Sequence, residues 1–194
     1  MAFVAELFPQ AKDYLDVYDQ YNLLGQRSVF AHGIHLNKRE HQRLHETGSS
    51  VSFCPTSNLF LGSGLFQLSR AVRQGVRVGL GTDVGGGTSF SMLQTLNEAY
   101  KVLQMQGQKL SPFKGFYLAT LGGADALDIA DLVGNFESGK EADFVVLDKS
   151  CTPLMDFRMK HCKDLFEELF VFAMLGDDRA IHSTYAAGQR VHSR

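Results

Sequence analysis

Three short segments carry metal-competent or hydrogen-bonding side chains at the ends of apolar runs. They are His32 and His35 in SVFAHGIHL (28–36), Thr56, Ser57 and Asn58 in VSFCPTSN (51–58), and Thr82 and Asp83 in VRVGLGTDV (76–84). Gly85, Gly86 and Gly87 follow the last of these. A histidine and an aspartate converging from different strands make a zinc donor set. Zinc takes imidazole nitrogen and carboxylate oxygen at about 2.0–2.2 Å, and a catalytic site keeps one position open for water. The metal brings the pKa of that water to about 7, and a carboxylate touching both metal and water can carry the proton. Asp83 is the candidate for that double role, with the glycines letting the backbone turn away without crowding it. Two other readings of GLGTDVGGG compete. Phosphate binding fails on spacing, because Gly79 and Gly81 are followed by Gly85 rather than completing GxGxxG, and no Lys-Ser or Lys-Thr follows. Capping of the next helix by Asp83 stays open, although it leaves the polar ends of the two neighbouring runs unexplained.

The remaining polar residues read more plainly. Strand alternation puts His32 on the face of Ile34 and turns His35 to the opposite one, so His32 is favoured as the ligand. His41 and His45 are four apart, but HQRLH lacks the glutamate of HExxH and reads as a solvated helix face. His161, His182 and His192 stand alone as ordinary surface or core residues. Cys54 sits in an apolar run and reads as a small buried hydrophobe. Lys140 and Glu141 read as a solvated turn, and Asp177-Asp178-Arg179 as a cap with a salt bridge.

The elements that must position these groups alternate. Strands are expected at 28–36, 51–58 and 76–84, continuously apolar as strands buried on both faces should be. Asn37 and Glu40 form a capping-box pattern for a helix through Glu46. A helix at 65–74 should stop at Gly75, and a longer one should run from Ser89 or Ser91 to about Gln106. Ser111 and Pro112 suit N-cap and N1 of another, closed by Gly122-Gly123. This βαβα rhythm gives an α/β fold with a parallel sheet, and chemistry in such folds gathers at the C-terminal strand ends. The chain then turns more β-rich. Turn residues in 134–148 lead into a strand, 165–175 reads as an apolar helix, and 183–193 as a hairpin turning at Ala187-Gly188.

With 194 residues and 44% hydrophobic content, the chain can bury a sizeable core, either as one domain or as part of a larger one. A net charge of −2 favours neither nucleic acid nor an anionic membrane as partner. No apolar run approaches about 20 residues, and MAFVAELFPQAKDYLD has neither the basic region nor the cleavage site of a signal peptide. Cys54, Cys151 and Cys162 show no CxxC spacing, which suits a reduced, cytoplasmic protein.

The order of HG (32–33), CPTSN (54–58) and GLGTD (79–83) resembles the last three strands of a metal-dependent amidohydrolase barrel. GKEADFVVLD (139–148) and AAGQRV (186–191) resemble that family's return into its small β-domain. FCPTSNLFLGSGLF, GTDVGGGTSFSMLQTLNEAYKV, LATLGGADAL and LGDDR are together similar to the bacterial guanine deaminases. The resemblance implies the C-terminal part of a (β/α)8 barrel over 1–133 and strands of a small β-sandwich domain, with one barrel-packing helix, over 134–194. It implies hydrolytic deamination of guanine to xanthine and ammonia at one zinc, by attack of activated water on the purine carbon bearing the amino group. His32 then matches the metal ligand on the sixth strand, Asp83 the ligand and proton shuttle on the eighth, and CPTSN a pocket wall on the seventh. Iron in place of zinc and a homodimeric full-length enzyme are compatible with the resemblance. The family's HxH pair and its histidine with glutamate three residues on are absent from these 194 residues, and MAFVAELFPQAKDYLDVYD resembles the helix after the fifth strand. The chain is therefore expected to be a C-terminal portion, to hold zinc weakly and to be inactive alone. The alternatives are a related aminohydrolase acting on another purine or pyrimidine-like ring, and a non-catalytic half-barrel binding module.

Overall fold

A computed structural model describes residues 2–194, so Met1 of the opening segment lies outside the described residues. Two short helices, α1 (Ala2–Leu7) and α2 (Tyr14–Gln20), precede a run of strand–helix units. These are β1 (Val29–Ala31), α3 (Lys38–Thr47), β2 (Ser50–Phe53), α4 (Pro55–Phe60), α5 (Leu68–Arg73), β3 (Arg77–Leu80) and α6 (Met92–Gln104). The strands form a parallel sheet in the order β1-β2-β3. Phe30 is in register with Val51, and Val51 with Val78. Local signals set several boundaries. The Asn37–Glu40 capping box opens α3, Gly75 follows α5 at φ +73°, and Ser91 caps α6 by accepting from Gln94 N.

The strands are shorter than expected and buried differently. Val51, Phe53 and Val78 join the core with Leu44, Phe66, Ala71, Ala99 and Val102. The alternate positions Ser50, Ser52 and Gly79 are small, because another helix comes close. α7 (Pro112–Ala119) is capped by Ser111 as expected, but it ends at Thr120. Gly122 and Gly123, read as its stop, lie inside α8 (Leu121–Ala126). A Cβ on Gly79 would sit 3.1 Å from Gly123 Cα, so Gly79 serves close strand–helix packing. Ser50 Oγ (2.7 Å) and Arg77 Nη1 (3.0 Å) then donate to the carbonyls of Ala126 and Asp125 at the end of α8.

A second sheet is antiparallel, in the order β4 (Phe144–Leu147), β5 (Ile181–Ala186) and β6 (Gln189–Ser193). Its hairpin turns at Ala187 (φ +48°) and Gly188 (φ +74°) as expected. Positive φ at both central residues marks the turn whose twist matches paired strands. Between β4 and β5 lie α9 (Pro153–Met159), α10 (Leu165–Leu175) and a 3-10 turn at Asp178–Ala180. Val171, Phe172 and Ala173 of α10 pack with Leu93 and Leu96 of α6 and with Met155 and Met159 of α9 in a second apolar cluster. No described helix is long and apolar enough to cross a membrane.

Candidate metal centre

β1 stops at Ala31. His32 N still donates to Ser52 O at 3.0 Å, but His32 lies at φ +71° and Gly33 at φ +61°. A non-glycine residue in the left-handed region is uncommon and costs about 1–3 kcal/mol, a strain that collects at functional sites. Alternation therefore does not aim these histidines, since the strand has ended before either one. The structure nevertheless brings His32 to Asp83, with His32 Nε2 3.8 Å from Asp83 Oδ2. His35 is outside the group of potential ligands.

Asp83 also lies beyond its strand, at φ +48°. The last ladder bond is Gly81 N to Phe53 O at 2.9 Å. Gly87 N then folds back to donate to Asp83 O at 2.5 Å. Gly87 is required here by packing, and Gly85 lies at φ +117°. A Cβ on Gly87 would lie 2.1 Å from Thr82 O, and one on Gly86 would lie 3.2 Å from Asp83 Oδ2. The capping reading of Asp83 is set aside, because Ser91 caps α6.

CPTSN is not strand. Cys54 is the N-cap and Pro55 the first residue of α4, the position where a missing N–H costs least. Thr56, Ser57 and Asn58 are thereby buried between the strand ends. Thr56 Oγ1 donates to Thr82 O at 3.2 Å, tying α4 to the Asp83 loop. Asn58 Oδ1 lies 2.8 Å from His32 Nδ1. The amide oxygen can only accept, so Nδ1 carries a proton, and a neutral imidazole then turns its Nε2 lone pair toward the Asp83 carboxylate across 3.8 Å. Two metal–donor arms of about 2.1 Å reach at most about 4.2 Å, so one cation fits between them. Hydrogen bonding of the distal nitrogen is the arrangement that fixes a metal-ligating histidine. Asn58 Nδ2 is buried without a partner among the described residues, and such an orphan donor costs about 1–3 kcal/mol.

Cys54 was not singled out by sequence as more than a hydrophobe, yet His32, Cys54 and Asp83 offer ligand atoms all within 4.8 Å of one another. No spacing pattern signals this, because the three come from separate strand ends. Burial pushes the Cys54 thiol pKa up. Hydrogen bonds from Ser52 and the His32 backbone oppose that, and the Asp83 charge adds to it.

The other candidates fall elsewhere. His41 is 2% exposed, not on a solvated face. Its Nδ1 bonds Asn37 O at 2.7 Å while His45 Nδ1 bonds Gly75 O at 2.9 Å, so the two do not converge. Lys140 is mostly covered rather than solvated and pairs with Glu137 at 2.8 Å. Asp177 caps the 3-10 turn and pairs with Arg179 at 2.7 Å. His161 packs edge-on against Phe157, and His182 and His192 lie on β5 and β6.

Residues 4–191 match the model of the amidohydrolase family. Guanine deaminase of Escherichia coli (strain K12) is 57% identical over 194 residues, covering 100% of this chain and 44% of the relative. The solved E. coli enzyme superposes with a TM-score of 0.97, covering 100% of this chain and 45% of that one. Guanine deaminase from C. acetobutylicum, solved with guanine bound in its active site, superposes with a TM-score of 0.86 at 32% identity, over 99% and 46% of the two chains. An adenosine deaminase from Xanthomonas campestris with bound zinc gives a TM-score of 0.81 at 27% identity, over 96% and 42%. The chain thus spans less than half the length of these relatives.

Proposed function

Because the chain belongs to the amidohydrolase family, its α/β fold being that of the barrel's C-terminal part with strands of a second sheet, we propose that it supplies one wall of a zinc-dependent guanine deaminase site. The reaction is hydrolysis of guanine to xanthine and ammonia, in cytoplasmic purine catabolism. The observation that carries this reading is the pairing of His32 Nε2 with Asp83 Oδ2 at 3.8 Å. They stand at the C-terminal ends of two strands that flank β2, with His32 anchored through Asn58. Similarity to the guanine deaminases, one of them solved with guanine bound, supports the substrate. The zinc-bound relative supports the metal.

His32 Nε2 and Asp83 would hold the ion, and its contribution when bound is Lewis acidity that brings a water's pKa to about 7. Asp83 is partly exposed, and its carboxylate would accept a proton from the attacking water and return it toward the leaving amine. Asn58 accepts from His32 Nδ1, which orients the ring so that Nε2 is the nitrogen turned toward Asp83. Thr56 holds the Asp83 loop against α4. Imidazole and carboxylate accept iron as well as zinc, so metal content has to be read directly. Residues 1–133 are proposed as the barrel-derived part. Residues 134–194 are proposed as the small β-domain portion, with α10 as its barrel-packing helix, a division supported by the two separate sheets.

The test is a substrate panel on a full-length version of the protein that includes this chain, wild type beside Asp83→Ala. Ammonia and xanthine from guanine, abolished by the substitution, support the proposal. Preference for adenine or cytosine derivatives overturns the substrate. A stable complex with another protein, unchanged by Asp83→Ala and accompanied by no deamination, replaces the enzyme reading with a binding module.

A further inference from the structure

We propose that the cleft between α4, α6 and the C-terminal end of α10 binds a small aliphatic diamine, a ligand with an ammonium group at each end of an apolar stem. The proposal is independent of the metal reading, because neither His32 nor Asp83 lines this cleft. The space measures about 530 Å³, inside the range of about 300–1,000 Å³ that small-molecule sites occupy.

Its walls select a cation. Glu98 of α6 and Asp177 beyond α10 both line it, and no lysine, arginine or histidine does. Lys101 Nζ lies 2.9 Å from Glu98 Oε1, and Arg179 Nη2 lies 2.7 Å from Asp177 Oδ2. These two cations stand mostly in solvent while the carboxylates are mostly covered. The Arg179 hydrogen bond holds Asp177 below the ordinary aspartate range, so it stays ionised. Glu98 Oε2 keeps no partner among the described residues. α10 also ends here with no basic side chain in its last turn, which leaves the negative end of its dipole uncompensated.

Hydrogen-bonding capacity points the same way. Thr56 Oγ1 donates its proton to Thr82 O at 3.2 Å, and Asn97 Nδ2 donates to Met174 O at 2.8 Å. A hydroxyl lone pair and the Asn97 amide oxygen are left as acceptors, which match the three donors of an ammonium group. Leu59, Phe60 and Met174 supply apolar wall for the methylene stem. A bare metal ion fits less well, because among the described residues no third His, Cys, Asp or Glu converges on Glu98 and Asp177.

The experiment is calorimetric titration of the full-length protein that includes this chain with putrescine, a four-carbon diamine. The matching four-carbon diol and sodium chloride of equal ionic strength are run beside it. The expected result is saturable binding of the diamine and none of the diol. Gln94→Lys places a fixed ammonium group on an exposed part of the wall and should abolish binding. Glu98→Gln removes one charge-assisted partner and should weaken binding about tenfold. Glu46→Gln, on α3 and outside the cleft, should leave it unchanged, and all three variants should melt as wild type does. Absence of saturable diamine binding overturns the proposal, as does equal binding of the diol. Diamine binding that survives both Gln94→Lys and Glu98→Gln, or that falls equally in Glu46→Gln, places the ligand elsewhere and also overturns it.

Discussion

Replacing Asn58 by alanine separates what holds the fold from what holds the site. Asn58 is 2% exposed, its Oδ1 anchors His32 Nδ1 at 2.8 Å, and its Nδ2 is a buried orphan. Losing the hydrogen bond costs about 0.5–1.5 kcal/mol, reduced here because the His32 side chain is 42% exposed and water can take its proton. The space left by the amide adds about 1–2 kcal/mol. Against this, removing the orphan donor returns about 1–3 kcal/mol, and alanine in a helix returns about 0.5 kcal/mol. The sum is within about 1 kcal/mol of zero, so urea unfolding of Asn58→Ala should resemble wild type. Zinc affinity should not, since loss of a partner that orients a metal-binding histidine typically costs about 10–100-fold. Competition against a chromophoric chelator measures it. Asn58→Asp keeps an acceptor for Nδ1–H and should restore most of the affinity. Unchanged zinc affinity in Asn58→Ala would refute the reasoning, as would a stability loss above about 3 kcal/mol, the range of a purely structural core residue.

Gly87→Ala puts a methyl 2.1 Å from Thr82 O, so the Asp83 loop must move by about 1 Å, enough to cost a site about 100-fold. Zinc affinity should fall far more than stability, which overpacking lowers by about 1–3 kcal/mol, and a crystal structure with the loop unmoved would contradict this. Glu40 is 1% exposed and accepts from Leu15 N at 3.0 Å and Asn37 N at 2.6 Å. Glu40→Ala therefore strands two donors and should cost about 2–5 kcal/mol in urea unfolding, with Glu40→Gln costing less. Asp13 and Asp19 are held below the ordinary aspartate range. For Asp13, burial pushes up but hydrogen bonds from Arg39 and Asn37 outweigh it, and for Asp19 the Arg43 hydrogen bond leads. Groups depressed on folding stabilise above their unfolded pKa and lose that contribution as pH falls through the folded one. Replacing Arg39 and Arg43 by methionine should lower stability near neutral pH and leave it unchanged in strong acid. Equal destabilisation at both pH values would refute the ion-pair assignment.

Most helix starts were legible because a cap is a local chemical event. Asn37 with Glu40, Ser91, and Ser111 with Pro112 each satisfy orphan N–H groups within one turn. The Ala187-Gly188 turn was legible for the same reason. Misreadings arose where distant packing decides. Gly122 and Gly123 read as a stop, yet they lie inside α8, where a Cβ on Gly122 would strike Tyr117 at 2.9 Å and the backbone of Gly123 abuts Gly79. VSFCPTSN read as one strand, although Pro55 is as good an N1 residue as Pro112, and the switch to helix is what carries Asn58 to His32. Alternation favours His32 as the ligand, but a left-handed turn after the strand places it, a conformation that no periodicity encodes. Cys54 depends on His32 and Asp83, which come from other strand ends, so its apolar run does not announce where it lies.

The most direct measurement is anomalous scattering at the zinc edge from crystals of this chain soaked in zinc. The expected result is a single strong peak between His32 Nε2 and Asp83 Oδ2, lost in Asp83→Ala. A peak at His41, at His45 or on the β5–β6 sheet, with none between His32 and Asp83, would contradict the central claim.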